Sequence, residues 1–149
     1  MANTQAMCNS FKTEILQAYH NFYATNAART INTADTFKGA LFYASGSLGA
    51  GTTIYSATSE VTSSTANYTA GGNPFTQTNP ALVSGSAQWT PSAPLVWTGV
   101  TIVAFDALLV YNSSQGARAV SVHNFGSQTI NNGTFSLTMP VSGGLISIT

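Results

Sequence analysis

The sequence predicts a mainly β fold, a sandwich or jelly roll of short antiparallel strands, with one α-helix at its N-terminus. Three observations carry this. Apolar residues recur at helical spacing convincingly only between Cys8 and Tyr23. From Phe37 onward, β-branched and aromatic runs of strand length alternate with turns rich in Gly, Asn, Ser and Pro. The 149 residues suffice for one hydrophobic core, so residues 1–149 are expected to form a single domain.

In the N-terminal segment, Phe11, Ile15, Ala18 with Tyr19, and Phe22 with Tyr23 fall three and four apart, which places them on one helical face over residues 8–23. Asn9 or Ser10 is the expected N-cap, and Glu14 the acidic residue favoured by the helix dipole. Phe11, Ile15 and Phe22 must then pack on the β domain or on a neighbouring subunit. Ala24 to Thr36, with Asn26, Asn32 and Asp35 as turn formers, reads as a polar connection.

The β region begins with Phe37 to Ala44, followed by glycine-rich turns and a second short run, Thr52 to Ser56. Ser59 to Pro94 is dominated by loop residues, including Gly71-Gly72-Asn73-Pro74 and Thr78-Asn79-Pro80, with one candidate strand from Leu82 to Trp89. The strongest strand signals are Val100 to Phe105, Ala107 to Tyr111, Arg118 to Phe125, Thr134 to Met139 and Leu145 to Ile148. Asn112 to Gly116 and Asn131-Asn132-Gly133 read as hairpin turns between them. The total, roughly seven to nine short strands, is that of a sandwich or jelly roll over residues 37–149.

The composition narrows the function. Only 5% of residues are charged against roughly 25% in an average soluble domain, so the polar surface must be built from Ser, Thr, Asn, Gln and Gly. Four cations and four anions cancel, leaving little long-range repulsion between copies. Lys12, Arg29, Lys38 and Arg118 are too scattered to neutralise a row of phosphates, so neither nucleic acid nor a membrane surface is an expected partner. Residues 1–25 show no basic segment leading into an apolar one, and no run approaches the ~20 apolar residues of a membrane span. The N-x-[ST] sites at Asn67, Asn112 and Asn132 then reflect surface composition only.

Candidates for chemistry are few. Cys8 is the single cysteine, so no internal disulfide or multi-thiolate metal site is possible, and it reads as a small packed side chain. His20 and His123 are far apart and fall in no metal-ligand spacing, so no metal and no cofactor is expected. No G-x-S-x-G elbow or phosphate-binding glycine loop exists. Asp106 and Arg118 are expected to pair across a hairpin. Trp89 and Trp97 bracket a proline-containing loop and are expected in the core, with sugar stacking as the rival role. Glu60 with Asp106 is the one carboxylate pair that a glycosidase reading could nominate.

The ordered motifs suggest a family. Met1-Ala2-Asn3-Thr4 leading to Cys8-Asn9-Ser10-Phe11-Lys12, and a helical segment ending His20-Asn21-Phe22, resemble the small virion structural proteins of tailed bacteriophages. Thr36 to Phe42, Ser47 to Thr53, Tyr55 to Val61 and Tyr68 to Gly72 follow in the order found in that family. So do Ala107 to Asn112, Arg118-Ala119-Val120 and Asn132 to Phe135. Val122 to Gly126 departs from the pattern, which carries an acidic residue near Asn124.

The resemblance covers most of the chain and implies a non-enzymatic place in the virion, reached after assembly in the host cytoplasm. The leading expectation is a capsid decoration, or cement, protein whose partner is the major capsid protein or another virion protein. A homo-oligomer, dimer or trimer, suits a symmetric lattice. Tyr55, Tyr68, Phe75 and Trp97 are candidate contact residues, together with the helix residues Phe11, Ile15 and Phe22. A tail, baseplate or fibre component and a carbohydrate-binding module are the alternatives.

Overall fold

The computed structural model describes residues 2–23, 33–62 and 67–149. Most of the connection expected over Ala24 to Thr36, including Asn26, Asn32 and Arg29, lies outside the described residues. Among these residues the chain forms β1 (Ala6–Met7), α1 (Asn9–Leu16), β2 (Phe37–Tyr43), β3 (Asn73–Pro74), β4 (Ala81–Val83), β5 (Ser86–Trp89), β6 (Leu95–Asn112), β7 (Arg118–Leu137) and β8 (Ile146–Ile148). They build two antiparallel sheets, ordered β1-β7-β6-β2-β3 and β4-β5-β8. The mainly β fold with one N-terminal helix, of β-sandwich type, is therefore as the sequence predicts.

β6 and β7 are far longer than the expected strands. They pair from Leu95↔Leu137 to Asn112↔Arg118, so the separate runs Val100 to Phe105 and Ala107 to Tyr111 are one strand, as are Arg118 to Phe125 and most of Thr134 to Met139. The expected breaks are bulges. Ala104 takes φ 52° just before Phe105, and Asn132 takes φ 45° within Asn131-Asn132-Gly133. The type I′ hairpin turn suited to an Asn-Gly pair would need two successive residues at positive φ. Only Asn132 has it, while Val100↔Gly133 and Thr98↔Thr134 keep pairing around it. The turn after Asn112 does form, closed by Ser114 N–H donating to Asn112 Oδ1 at 3.1 Å.

Two further strand readings change. Leu82 to Trp89 is a hairpin, because Ser84 (φ 50°) and Gly85 (φ 84°) supply the paired positive φ of a tight two-residue turn between β4 and β5. Thr52 to Ser56 makes only an isolated bridge, Ile54↔Arg118.

The helix is also shorter than its apolar periodicity. The pairing of β1 with β7 continues as Cys8 N–H donates to Val120 O at 3.0 Å, so the chain enters the helix directly and Cys8 occupies the N-cap without a side-chain cap. Asn9 and Ser10 are thus inside the helix, and Glu14 lies beyond its first turn. At the other end Ala18, at φ 58°, reverses the chain. Tyr19 N–H bonds Glu14 O and Ala18 N–H bonds Ile15 O, the two bonds of a Schellman ending. Phe22 reaches the core from beyond this reversal, not from the helix.

The two sheets meet through aromatic side chains. Phe37 of β2 stacks on Phe22 at 4.1 Å and lies 5.4 Å from Trp89 of β5, while Phe75 meets Trp89 edge-on at 5.6 Å. Phe11, from the helix, completes the cluster against Phe22 at 6.0 Å. Helix and β domain therefore share one core within the chain. Close approach is strictest at Gly72, where a Cβ would lie 2.0 Å from the Gly39 carbonyl oxygen and φ is +65°. Gly72→Ala is expected to destabilise the fold by at least about 2 kcal/mol, through backbone displacement and left-handed strain together. Urea unfolding of the two proteins measures this.

Candidate functional site

Each of the four carboxylates the chain carries in its described residues is buried and held by donors of the chain itself. Glu14 accepts from Arg118 Nη1 at 2.6 Å and from His20 Nε2 at 2.9 Å. His20 Nδ1 faces the Asn112 amide at 3.1 Å, which makes Nδ1 the acceptor and Nε2 the protonated nitrogen. Asn112 also donates to Asp35 Oδ2 at 2.7 Å, where Asn21 N–H adds a second bond at 2.8 Å. Gln115 Nε2 holds Asp35 Oδ1 at 3.0 Å. This network ties α1 and the segment after it to the β6–β7 turn. Arg118 further lies 4.2 Å over the Tyr19 ring.

The expected Asp106–Arg118 pair does not form. Arg118 is drawn to Glu14 on the helix, and Asp106 accepts from Asn3 Nδ2 at 2.7 Å and Asn124 Nδ2 at 3.2 Å. Asn3 in turn accepts Leu48 N–H at 2.9 Å, so this cluster anchors the N-terminal segment to the sheet. Glu60 forms a third cluster, accepting from the Tyr55 hydroxyl at 2.5 Å, the Tyr68 hydroxyl at 2.8 Å and Gly71 N–H at 2.7 Å. Glu60 and Asp106 serve different clusters and face no common cleft. Burial, aided by Glu60, pushes Tyr55 and Tyr68 well above the usual phenol range, so both hydroxyls stay protonated donors.

Cys8 is fully buried, and desolvation with the nearby Glu14 charge pushes its thiol up to about 11. It is a packed thiol, as its isolation in the sequence suggests. His20 and His123 are both satisfied side chains; His123 lies 2.9 Å from Ser121 Oγ. Among the described residues no three or more His, Cys, Asp or Glu side chains converge as a metal site, and no helix is long and apolar enough to cross a membrane. A cleft of about 690 Å³ runs along Gly46 to Thr53, but its walls carry hydroxyls, backbone and the apolar side chains of Phe42, Leu48 and Ile54, with no carboxylate, imidazole or thiol.

The aromatic contact candidates go inward. Phe11, Phe22, Tyr68, Phe75 and Trp97 are buried in the chain's own core. Trp97 lies between Tyr68 at 6.2 Å and Phe135 at 6.0 Å. Tyr55 stacks on Tyr111 at 4.6 Å and, like Ile15, is only partly exposed. Trp89 and Trp97, 3% and 2% exposed, are core residues as expected and offer no stacking face to a sugar.

The surface that remains has a different character. Residues 61–105 and 119–149 contain no Lys, Arg, Asp or Glu, so the whole small sheet and the far half of the β6–β7 ribbon are uncharged. Leu82, Val83, Val96, Val103, Val141 and Ile148 are exposed there. The charge-free runs were visible in the sequence; which of their apolar residues face outward was not. The chain matches no known protein family, no curated protein and no solved structure.

Two outcomes follow from the buried network. Glu14→Ala removes the acceptor of both Arg118 and His20 and should cost about 2–4 kcal/mol of stability in chemical denaturation. Burial lowers the pKa of both histidines, that of His123 to about 4. The unfolded chain therefore takes up protons first as pH falls below about 6.5, and stability is lost in that direction. Melting temperature should drop between about pH 7 and pH 5, and His123→Asn should flatten part of that dependence.

Proposed function

We propose that this chain is a non-enzymatic structural protein of a tailed-bacteriophage particle, acting as a capsid decoration or cement protein. It binds the outer face of the assembled shell and bridges neighbouring capsid subunits. The observation that carries a binding role is the uncharged half of the molecule with its exposed Leu and Val side chains, set against carboxylates all consumed in internal bonds. A neutral surface of hydroxyls, amides and scattered apolar groups docks without desolvating charge and lets copies sit side by side without repulsion. The placement in a phage particle rests on the resemblance of the ordered motifs.

The mechanism is mass action. A protein that binds the assembled shell and not its separated subunits stabilises assembly, and weak contacts suffice when repeated across a lattice. The exposed side chains of the uncharged half supply the contacts in this reading, because Phe11, Phe22, Tyr68, Phe75 and Trp97 are buried in the chain's own core.

Quantitative mass spectrometry of purified particles, scaled to the major capsid protein, tests the reading. A ratio near unity or a simple lattice fraction is the expected result. A small minority ratio would move the protein to the tail, baseplate or fibre, and absence from the particle would overturn the virion assignment.

A further inference from the structure

The small sheet carries two apolar rows on one face. Pairing registers set Trp89 opposite Ile146 in the inner row, and Leu82, Ala87 and Ile148 side by side in the outer row. The inner row is buried over the core. The outer row overhangs it, with Leu82 77% and Ile148 40% exposed. An apolar pocket of about 100 Å³ opens between this face and Phe11 and Ile15.

β4 is the edge of this sheet. Val83 and Ser86 flank the two-residue turn and so form its closing hydrogen-bonded pair, which makes Leu82↔Ala87 the non-bonded pair. Leu82 therefore turns its N–H and C=O away from β5, toward the open edge. Edges of natural sheets are commonly guarded by a charged side chain. None stands here, and no charged residue occurs in the sequence between Glu60 and Asp106 or after Arg118.

We infer that β4 is a self-association edge: two copies pair antiparallel through Ala81–Val83 about a two-fold axis at Leu82. The two small sheets then become one of six strands, and the outer rows join into a continuous apolar stripe, Ile148–Ala87–Leu82 meeting its symmetry mate. The charge pattern suits a second copy as the occupant, because it removes the self-repulsion that would bar one. On the axis Leu82 meets its own copy while Ala81 and Val83 face each other across it, so a charge at the axial position would repel its like and an uncharged edge does not. The inference rests on the structural-protein reading for its use in the particle, but it concerns the isolated chain and is tested there.

The contact is small beside the ~1,600 Å² of a typical stable interface, so a concentration-dependent dimer is expected. Sedimentation of the purified protein should show a mass rising toward the dimer with concentration. Leu82→Lys should hold it at the monomer, and mixing Leu82→Lys with Leu82→Glu should restore the dimer. Circular dichroism checks that each variant is folded.

A covalent readout does not depend on affinity. Residues opposed in a bonded antiparallel pair have Cα atoms ~5.5 Å apart, within disulfide reach. Mild oxidation should therefore cross-link Leu82→Cys at least about tenfold faster than Val141→Cys, whose site is 103% exposed but off the axis. Native Cys8 is fully buried and does not compete.

A wild-type chain that stays monomeric, with the two cysteine variants cross-linking equally, would overturn the inference. So would a dimer that survives Leu82→Lys. If the chain is monomeric and Leu82→Lys nevertheless weakens binding to particles, the edge belongs to a strand of another virion protein and self-pairing is wrong. A dimer that fails to bind particles would instead leave the edge pairing intact and remove the decoration reading.

Discussion

Because β6 and β7 pair from Leu95↔Leu137 to Asn112↔Arg118, most other elements find their place on this ribbon. β2 extends it on one edge and β1 on the other. Only the half near the turn is covered on both faces, and there Phe105 to Asn112 is buried without a break. Alternation sends Phe37, Gly39 and Leu41 of β2 to one face and Lys38, Ala40 and Phe42 to the other. The first face receives the aromatic cluster of Phe22, Phe75 and Trp89, and the second receives Tyr55, which stacks on Tyr111. Both faces being covered explains why these strands read as nearly continuous apolar runs.

The few charges are used as fasteners. Glu14 and Asp106 each join segments distant in sequence, Glu60 gathers Tyr55, Tyr68 and Gly71 from its own connection, and each accepts from amides, hydroxyls, backbone N–H groups, an imidazole or a guanidinium. A buried carboxylate without donors would be severely penalised, so each cluster forms completely or unfolds its neighbourhood. This gives the long polar connections fixed positions that hydrophobic packing alone would leave degenerate. Glu60 shows it well, because it fixes Tyr55, Tyr68 and Gly71 together, and Tyr111 then reaches Gly71 O at 2.7 Å.

The sequence made the chain's class legible through patterns that depend on neighbours a few residues away: strand runs, one apolar helical stripe, a turn after Asn112. It was silent where distant partners decide. Nothing local says that Ala18 will reverse the chain, since alanine is a good helix former; the reversal is driven by His20 reaching Asn112 and Phe22 stacking on Phe37. Asn131-Asn132-Gly133 carries hairpin chemistry, yet the ladder on either side keeps β7 running through it as a bulge. Pairing by sign took no account of register: Arg118 lies opposite Asn112, six residues or about 20 Å along β6 from Asp106, and the helix brings Glu14 to it instead. Most of the contact candidates lie in the core, because an aromatic residue at a loop tip and one filling a core look alike until the covering segment is placed.

An uncharged apolar edge is ordinarily a hazard, because it can recruit strand after strand. The geometry of β4 limits it. Pro80 offers no N–H on one side, the Ser84-Gly85 turn ends the strand on the other, and only Leu82 presents a donor and an acceptor outward between them. Such an edge is occupied by one partner in one register. The proposed isologous pairing closes, since the strand that joins would use its own edge in doing so. The opposite edge of the small sheet, β8, lies across β5, so the proposed β4–β4 pairing leaves it unused. On the proposed pairing, shortness of edge and not repulsion is what keeps self-contacts finite in a chain whose charges cancel.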